Sequence, residues 1–147
     1  LWFGTADGRL CRFRQAEEDD AYRDDDAAID AYWRTPTMPL GDWGRMKTVR
    51  DVIPTLMPHS RSGATVQYES EDGKVLALSR NMDLFSFKTL DFSRFSFRCI
   101  PGALSYRTRY RQHRMPLLAV RIGNDRIDEP FGLLALTIRW TCGQTII

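Results

Sequence analysis

Ala64-Thr65-Val66-Gln67-Tyr68-Glu69, then Glu71-Asp72-Gly73, then Lys74-Val75-Leu76-Ala77-Leu78 follow one another closely in the chain. The flanking runs carry strand-forming residues and the middle piece carries turn formers, so the stretch reads as a β-hairpin. The same grammar recurs on both sides. Leu1-Trp2-Phe3, Gly4-Thr5-Ala6-Asp7-Gly8 and Arg9-Leu10-Cys11-Arg12-Phe13 give a second hairpin, whose Asp7-Gly8 pair tolerates the positive φ of a tight turn. From Ala27, alternation sets Ile29, Ala31 and Trp33 on one face and Ala28, Asp30, Tyr32 and Arg34 on the other, until Pro36 ends the strand.

Pro39, Gly41 and Gly44 mark a turn-rich connector, and Met46 to Met57 reads as a long strand. There Thr48, Arg50 and Val52 alternate against Val49, Asp51 and Ile53, and Pro54 makes the strand either an edge or bulged. Residues 58–63 form a loop. Tyr106 to Arg114 alternates Arg107, Arg109 and Arg111 against Thr108, Tyr110 and Gln112, and runs through Met115-Pro116 into Leu117 to Ile122. A turn at Gly123-Asn124-Asp125 and a loop from Arg126 to Pro130 lead to the last strand, Phe131 to Thr141. About nine strands separated by turn signals, with no amphipathic helix, predict an all-β fold: an antiparallel, jelly-roll-like β-sandwich.

The 147 residues suit one ordinary domain, 43% hydrophobic and 27% charged. The longest apolar runs are four residues or so, far from the roughly 20 of a transmembrane helix. A net charge of +2 gives no dominant pull toward nucleic acid or an acidic bilayer. Cys11, Cys99 and Cys142 have no metal-site spacing and are odd in number, which predicts reduced, mostly buried thiols. Leu1-Trp2-Phe3 starts in mid-pattern and reads as the cut edge of a longer polypeptide. The organisation expected is a hairpin over 1–14, an acidic linker over 15–26 and a sandwich domain over 27–147.

Chemistry is hard to find. His59 and His113 lack the partners of a zinc or proton-transfer site, and there is no nucleophile elbow and no phosphate loop. The chain therefore reads as non-enzymatic, with no cofactor and no metal. Seven acids lie between Glu17 and Asp26. They read as a solvated loop, with calcium ligation the lesser alternative because the EF-hand order is missing. In a third reading Asp24, Asp25 and Asp26 meet the arginines of a neighbouring subunit. Arg107, Arg109 and Arg111 would share a strand face, which serves as that intersubunit contact, as a solvated edge, or as a phosphate-binding stripe beside Tyr106 and Tyr110. The five phenylalanines between Phe85 and Phe97 pack between sheets or against a neighbouring chain. Of Trp2, Trp33, Trp43 and Trp140, burial in core or interface is favoured, with Trp43 in its turn singled out for ligand contact.

The opening Trp2-Phe3-Gly4-Thr5 with Asp7-Gly8, Leu10 and Arg12-Phe13 resembles the last hairpin of a β-propeller blade in tail, hub and neck proteins of tailed bacteriophages. Asp25-Asp26-Ala27-Ala28-Ile29, Tyr32-Trp33-Arg34-Thr35-Pro36, Leu40-Gly41-Asp42, Arg45-Met46-Lys47-Thr48, Asp91-Phe92-Ser93 and Glu129-Pro130-Phe131-Gly132 are similar to the segments that follow it there. The resemblance runs over nearly the whole chain as loose patterns. It implies a β-sandwich module of a virion structural protein, assembled in the bacterial cytoplasm into a tail or neck (nozzle or hub). The partners implied are other phage structural proteins and copies of itself in a ring, with weak contact to genomic DNA along a conduit. The alternative is a carbohydrate- or receptor-binding module of the same particle. The Arg-rich segment from Tyr106 to Arg121 departs from the pattern.

Overall fold

A computed structural model describes residues 1–15, 21–59, 61–70, 75–81, 83–84, 92–93, 97–98 and 102–145. Every regular element among them is a β-strand, and every pairing is antiparallel. The strands are β1 (Trp2–Gly4), β2 (Leu10–Arg12), β3 (Arg23–Asp24), β4 (Ala27–Ala28), β5 (Ala31–Arg34), β6 (Arg45–Leu56), β7 (Gly63–Ser70), β8 (Val75–Asn81), β9 (Leu104–Ser105), β10 (Thr108–Met115), β11 (Leu118–Asn124) and β12 (Leu133–Thr145). One four-stranded sheet has the order β5-β11-β7-β8. A second runs β10-β6-β12, with β9 beside the end of β6.

β1 and β2 form the expected N-terminal hairpin, with Trp2 opposite Arg12. Its turn is closed by the Thr5 side chain and by Gly8 at φ 84, a conformation glycine adopts without strain. The described part of the acidic stretch, residues 21–26, is more ordered than a solvated loop, and residues 16–20 lie outside the described residues. β3 and β4 pair Asp24 with Ala27 across a tight turn at Asp25-Asp26, so the expected boundary at residue 26 falls inside a hairpin. No helical turn forms over residues 21–28.

The hydrophobic core takes Val49, Val52 and Leu56 from β6, Ala64, Val66 and Tyr68 from β7, and Leu118, Val120 and Ile122 from β11. Both sheets thus bury residues in one cluster. The Tyr68 hydroxyl also hydrogen-bonds the Thr108 hydroxyl, joining β7 to β10.

The alternation predicted for β6 changes phase midway. Val49 and Val52 belong to one core cluster although they lie three residues apart, a spacing that in a regular strand puts them on opposite faces. Against β12, Arg139 pairs with Asp51 and Trp140 with Val49, so Arg50 is a bulged extra residue. Nor is β6 an edge, for it is paired on both sides. Pro54 is accommodated because its carbonyl accepts the Tyr106 amide. Its nitrogen, which carries no N–H, faces the same side, at the break between β9 and β10.

The segment read as one strand from Tyr106 to Ile122 is two strands in different sheets. β10 pairs with β6, and β11 pairs with β5 and β7. Arg114 at φ 58 and Pro116 turn the chain from one sheet to the other. The closing strand begins at Leu133 and reaches Thr145, four residues beyond the expected end.

Candidate functional site

The residues singled out by sequence are spread over the surface, and several are already paired within the chain. Asp25, at φ 55, lies 3.6 Å from Arg9, which also meets Asp7 at 3.1 Å. The Arg9 contact ties the N-terminal hairpin to the β3–β4 turn. Asp24 sits in β3 and Asp26 in the turn after it, both exposed. Arg107 precedes β10 and is bound to Asp51 through Nε and Nη2, both at 2.8 Å. Those bonds hold the Arg107 guanidinium pKa above its ordinary value. Arg109 lies opposite Asp51 on β10, and the ladder then shifts register before Gln112. The side chains of Arg109, Arg111 and His113 lie outside the described residues.

Trp43 is 69% exposed in the turn before β6. Its turn is held by several polar contacts. Asp42 Oδ1 accepts the Gly44 amide at 2.8 Å, Asp42 meets Arg45 at 3.8 Å, and the buried Lys47 ammonium donates to the Asp42 carbonyl. Trp33 and Trp140 were expected in the core. They are 44% and 41% exposed: each lies on the last strand of its sheet, β5 and β12, and among the described residues no further strand covers it. Trp2 is exposed as well. Of the thiols, Cys11 is half-buried and Cys142 exposed, contrary to the expected burial, and Cys99 lies outside the described residues. Phe92 and Phe97 are exposed, whereas Phe85, Phe87, Phe95 and Asp91 also lie outside the description.

Two surface features were not anticipated. On β5 and β11, Arg34 and Arg121 stand directly opposite each other. Like charges in that position repel, and each is matched separately: Arg34 to Glu69 at 2.5 Å, Arg121 to Asp30 at 2.9 Å and over the Tyr32 ring at 4.2 Å. The second feature is an apolar groove of about 410 Å³ lined by Trp33, Phe131 and Leu133 to Leu136. It lies between the outer strands of the two sheets. A further cavity of about 510 Å³ near Lys47, Arg114 and Gln144 sits at the far end of β12.

Among the described residues no three of His, Cys, Asp and Glu converge as metal ligands, and no helix is long and apolar enough to cross a membrane. His59 is partly buried, and burial pushes its imidazole below the ordinary pKa of 6.5. Its backbone is fixed by Ser62 Oγ and by the Leu84 amide. Comparison with protein-family models, with curated proteins and with solved structures returned no match.

Proposed function

We propose that this chain is a β-sandwich structural module of a tailed-phage tail or neck assembly, acting through protein–protein contacts with other virion proteins and with copies of itself. The sandwich rests on the shared core of the two sheets and on the Tyr68–Thr108 bond between them. The observation that carries the functional reading is apolar surface left exposed among the described residues. Leu1, Trp2, Leu10 and Phe13 on the N-terminal hairpin are more than half exposed, and Trp33, Leu134 and Trp140 lie along the outer strands. Exposed apolar surface of this extent suits a subunit whose neighbours cover it. The hairpin is read as the last piece of an upstream propeller, and the place of the protein as the virion, after assembly in the host cytoplasm. Weak contact with genomic DNA would draw on the Arg-rich β10 segment. Catalysis has no part in the reading.

Mass spectrometry of purified virions, with light scattering of the isolated protein, tests it. A virion-associated full-length chain supports the reading, and a protein absent from every particle ends it. Reversing Asp24, Asp25 and Asp26 to Lys tests charge pairing between subunits: the pairing requires assembly to weaken, and unchanged assembly removes it.

The second reading, a carbohydrate- or receptor-binding module, is favoured by one observation: an exposed Trp43 on an anchored turn beside Asp42 and Arg45. An indole face stacks on a sugar ring while flanking polar groups orient its hydroxyls. A glycan screen in which Trp43→Ala abolishes binding supports it, and binding that survives Trp43→Ala excludes that site.

A further inference from the structure

Among the described residues β12 is a long edge with little of the protection that edges normally carry. It has thirteen residues, no proline and one charged residue, Arg139. Its own extra residues against β6, at Leu134 and at Gly143-Gln144, flank a run from Ala135 to Cys142 whose one further shift, between Arg139 and Trp140, puts the extra residue, Arg50, on β6. Edges of this kind pair with other strands.

The direction of the free backbone groups follows from β6. Val52 and Pro54 turn their carbonyls to Thr108 and Tyr106, away from β12. Their partners on β12, Ile138 and Leu136, therefore aim N–H and C=O at the open edge, and Trp140 follows by the two-residue repeat. The side chains of Leu136, Ile138 and Trp140 share one face. Leu136 and Ile138 pack against the core, whereas Trp140 runs past it and stays 41% exposed. The apolar groove beside Trp33 lies at the other end of the same run, at Leu133 to Leu136. One strand thus carries both a projecting indole and an apolar recess.

We infer that β12 pairs with β12 of a second copy of this chain, antiparallel about a two-fold axis at Ile138, each copy seating Trp140 in the other's groove beside Trp33 and Leu136. In this register Trp140 stands opposite Leu136 of the partner subunit and Ile138 opposite its own copy. All three pairs present outward backbone groups to each other, which is the hydrogen-bonded pairing of an antiparallel ladder. Arg139 falls opposite Thr137, so the only charges on the strand do not confront one another. The contact is isologous: knob and recess on one surface satisfy the same surface of the copy. It names the self-contact within the assembly reading above and rests on that reading for its biological setting.

Sedimentation equilibrium of the purified chain under reducing conditions tests it. A dimer of twice 17.0 kDa is expected. Trp140→Glu should raise the dimer dissociation constant by roughly thirtyfold or more, as loss of a central aromatic anchor does. Register is tested by mixing Thr137→Cys with Arg139→Cys chains, both with Cys11, Cys99 and Cys142 changed to Ser. These positions form non-hydrogen-bonded pairs, close enough for a disulfide. On oxidation the mixture should cross-link and neither chain alone should. A monomer at all concentrations overturns the inference, as does any oligomer that Trp140→Glu leaves unchanged and the cysteine pair does not cross-link. A cross-linked dimer of a protein missing from virions keeps the contact and ends the virion reading; a monomer found in virions does the reverse.

Discussion

Arg107 grips Asp51 with a planar fork, Nε to Oδ1 and Nη2 to Oδ2. The carboxylate is buried in the middle of β6 while the guanidinium stays half in solvent. Burial of the acid is tolerable because charged hydrogen bonds replace its water. The pair closes the entry to β10 onto β6, so an arginine that sequence places at an interface is part of the fold.

Loss of that fork should be visible in heat denaturation. Asp51→Ala is expected to lower the Tm by about 5 °C, as loss of charged hydrogen bonds does in a domain of this size. Arg107→Lys should fall in the same direction, because an ammonium cannot make two parallel bonds to one carboxylate. Circular dichroism melts decide it, and an Arg107→Lys protein as stable as the parent would show that the fork geometry is immaterial.

A second prediction concerns the bond between the sheets. The Thr108 hydroxyl has one proton and gives it to the Val52 carbonyl at 2.5 Å, so Tyr68 must be the donor to Thr108 Oγ1. Thr108→Val keeps the shape and removes both interactions at a buried site. Urea denaturation should show a loss of about 2 kcal/mol, and Tyr68→Phe a smaller loss of about 1 kcal/mol. A Thr108→Val protein of parental stability would refute the arrangement.

These buried pairs mark where sequence reading stops. The hairpin at 1–13, the pairing of 64–69 with 75–78 and the strand at 46–57 are legible because turn residues and alternation are local signals, while the turn expected at Glu71-Asp72-Gly73 lies outside the described residues. The partnership of Asp51 with Arg107 spans fifty-six positions and leaves no local trace. The phase change at Arg50 is equally silent, since a bulge is set by what the neighbouring strands need. Alternation put Trp33 on a common face with Ile29 and Ala31, but period two says nothing about whether another layer covers that face. Strand order decides it, and β5 and β12 turned out to be outermost. The split of residues 106–122 between two sheets could be suspected only at Pro116, which by itself marks an edge as readily as a crossing.

Gly123 sets the distance between β11 and β5. A Cβ there would lie 2.7 Å from both the Ala31 carbonyl oxygen and the Tyr32 Cβ, and the former is backbone that cannot swing aside. Gly123→Ala should therefore push β5 outward, at a cost of roughly 1–3 kcal/mol from overpacking. Hydrogen exchange should quicken at residues 31–34 while the β7–β8 pairing stays protected. Uniform exchange behaviour across both sheets would mean that β11, not β5, yields.

The last prediction is a pH dependence. Burial lowers the His59 pKa below its ordinary 6.5, so the folded state prefers the neutral ring and the unfolded chain binds the proton more readily. Between the two values, unfolding takes up protons, and stability falls as pH falls. The contribution of His59 is fully present above about pH 6.5, the unfolded value, and is lost as pH drops through the folded one. Tm measured from pH 7.5 to 5 should decline more steeply for the parent than for His59→Gln, with His113→Gln as the companion control. Parallel curves for the parent and His59→Gln would show that the imidazole reaches water freely enough to carry its charge without cost.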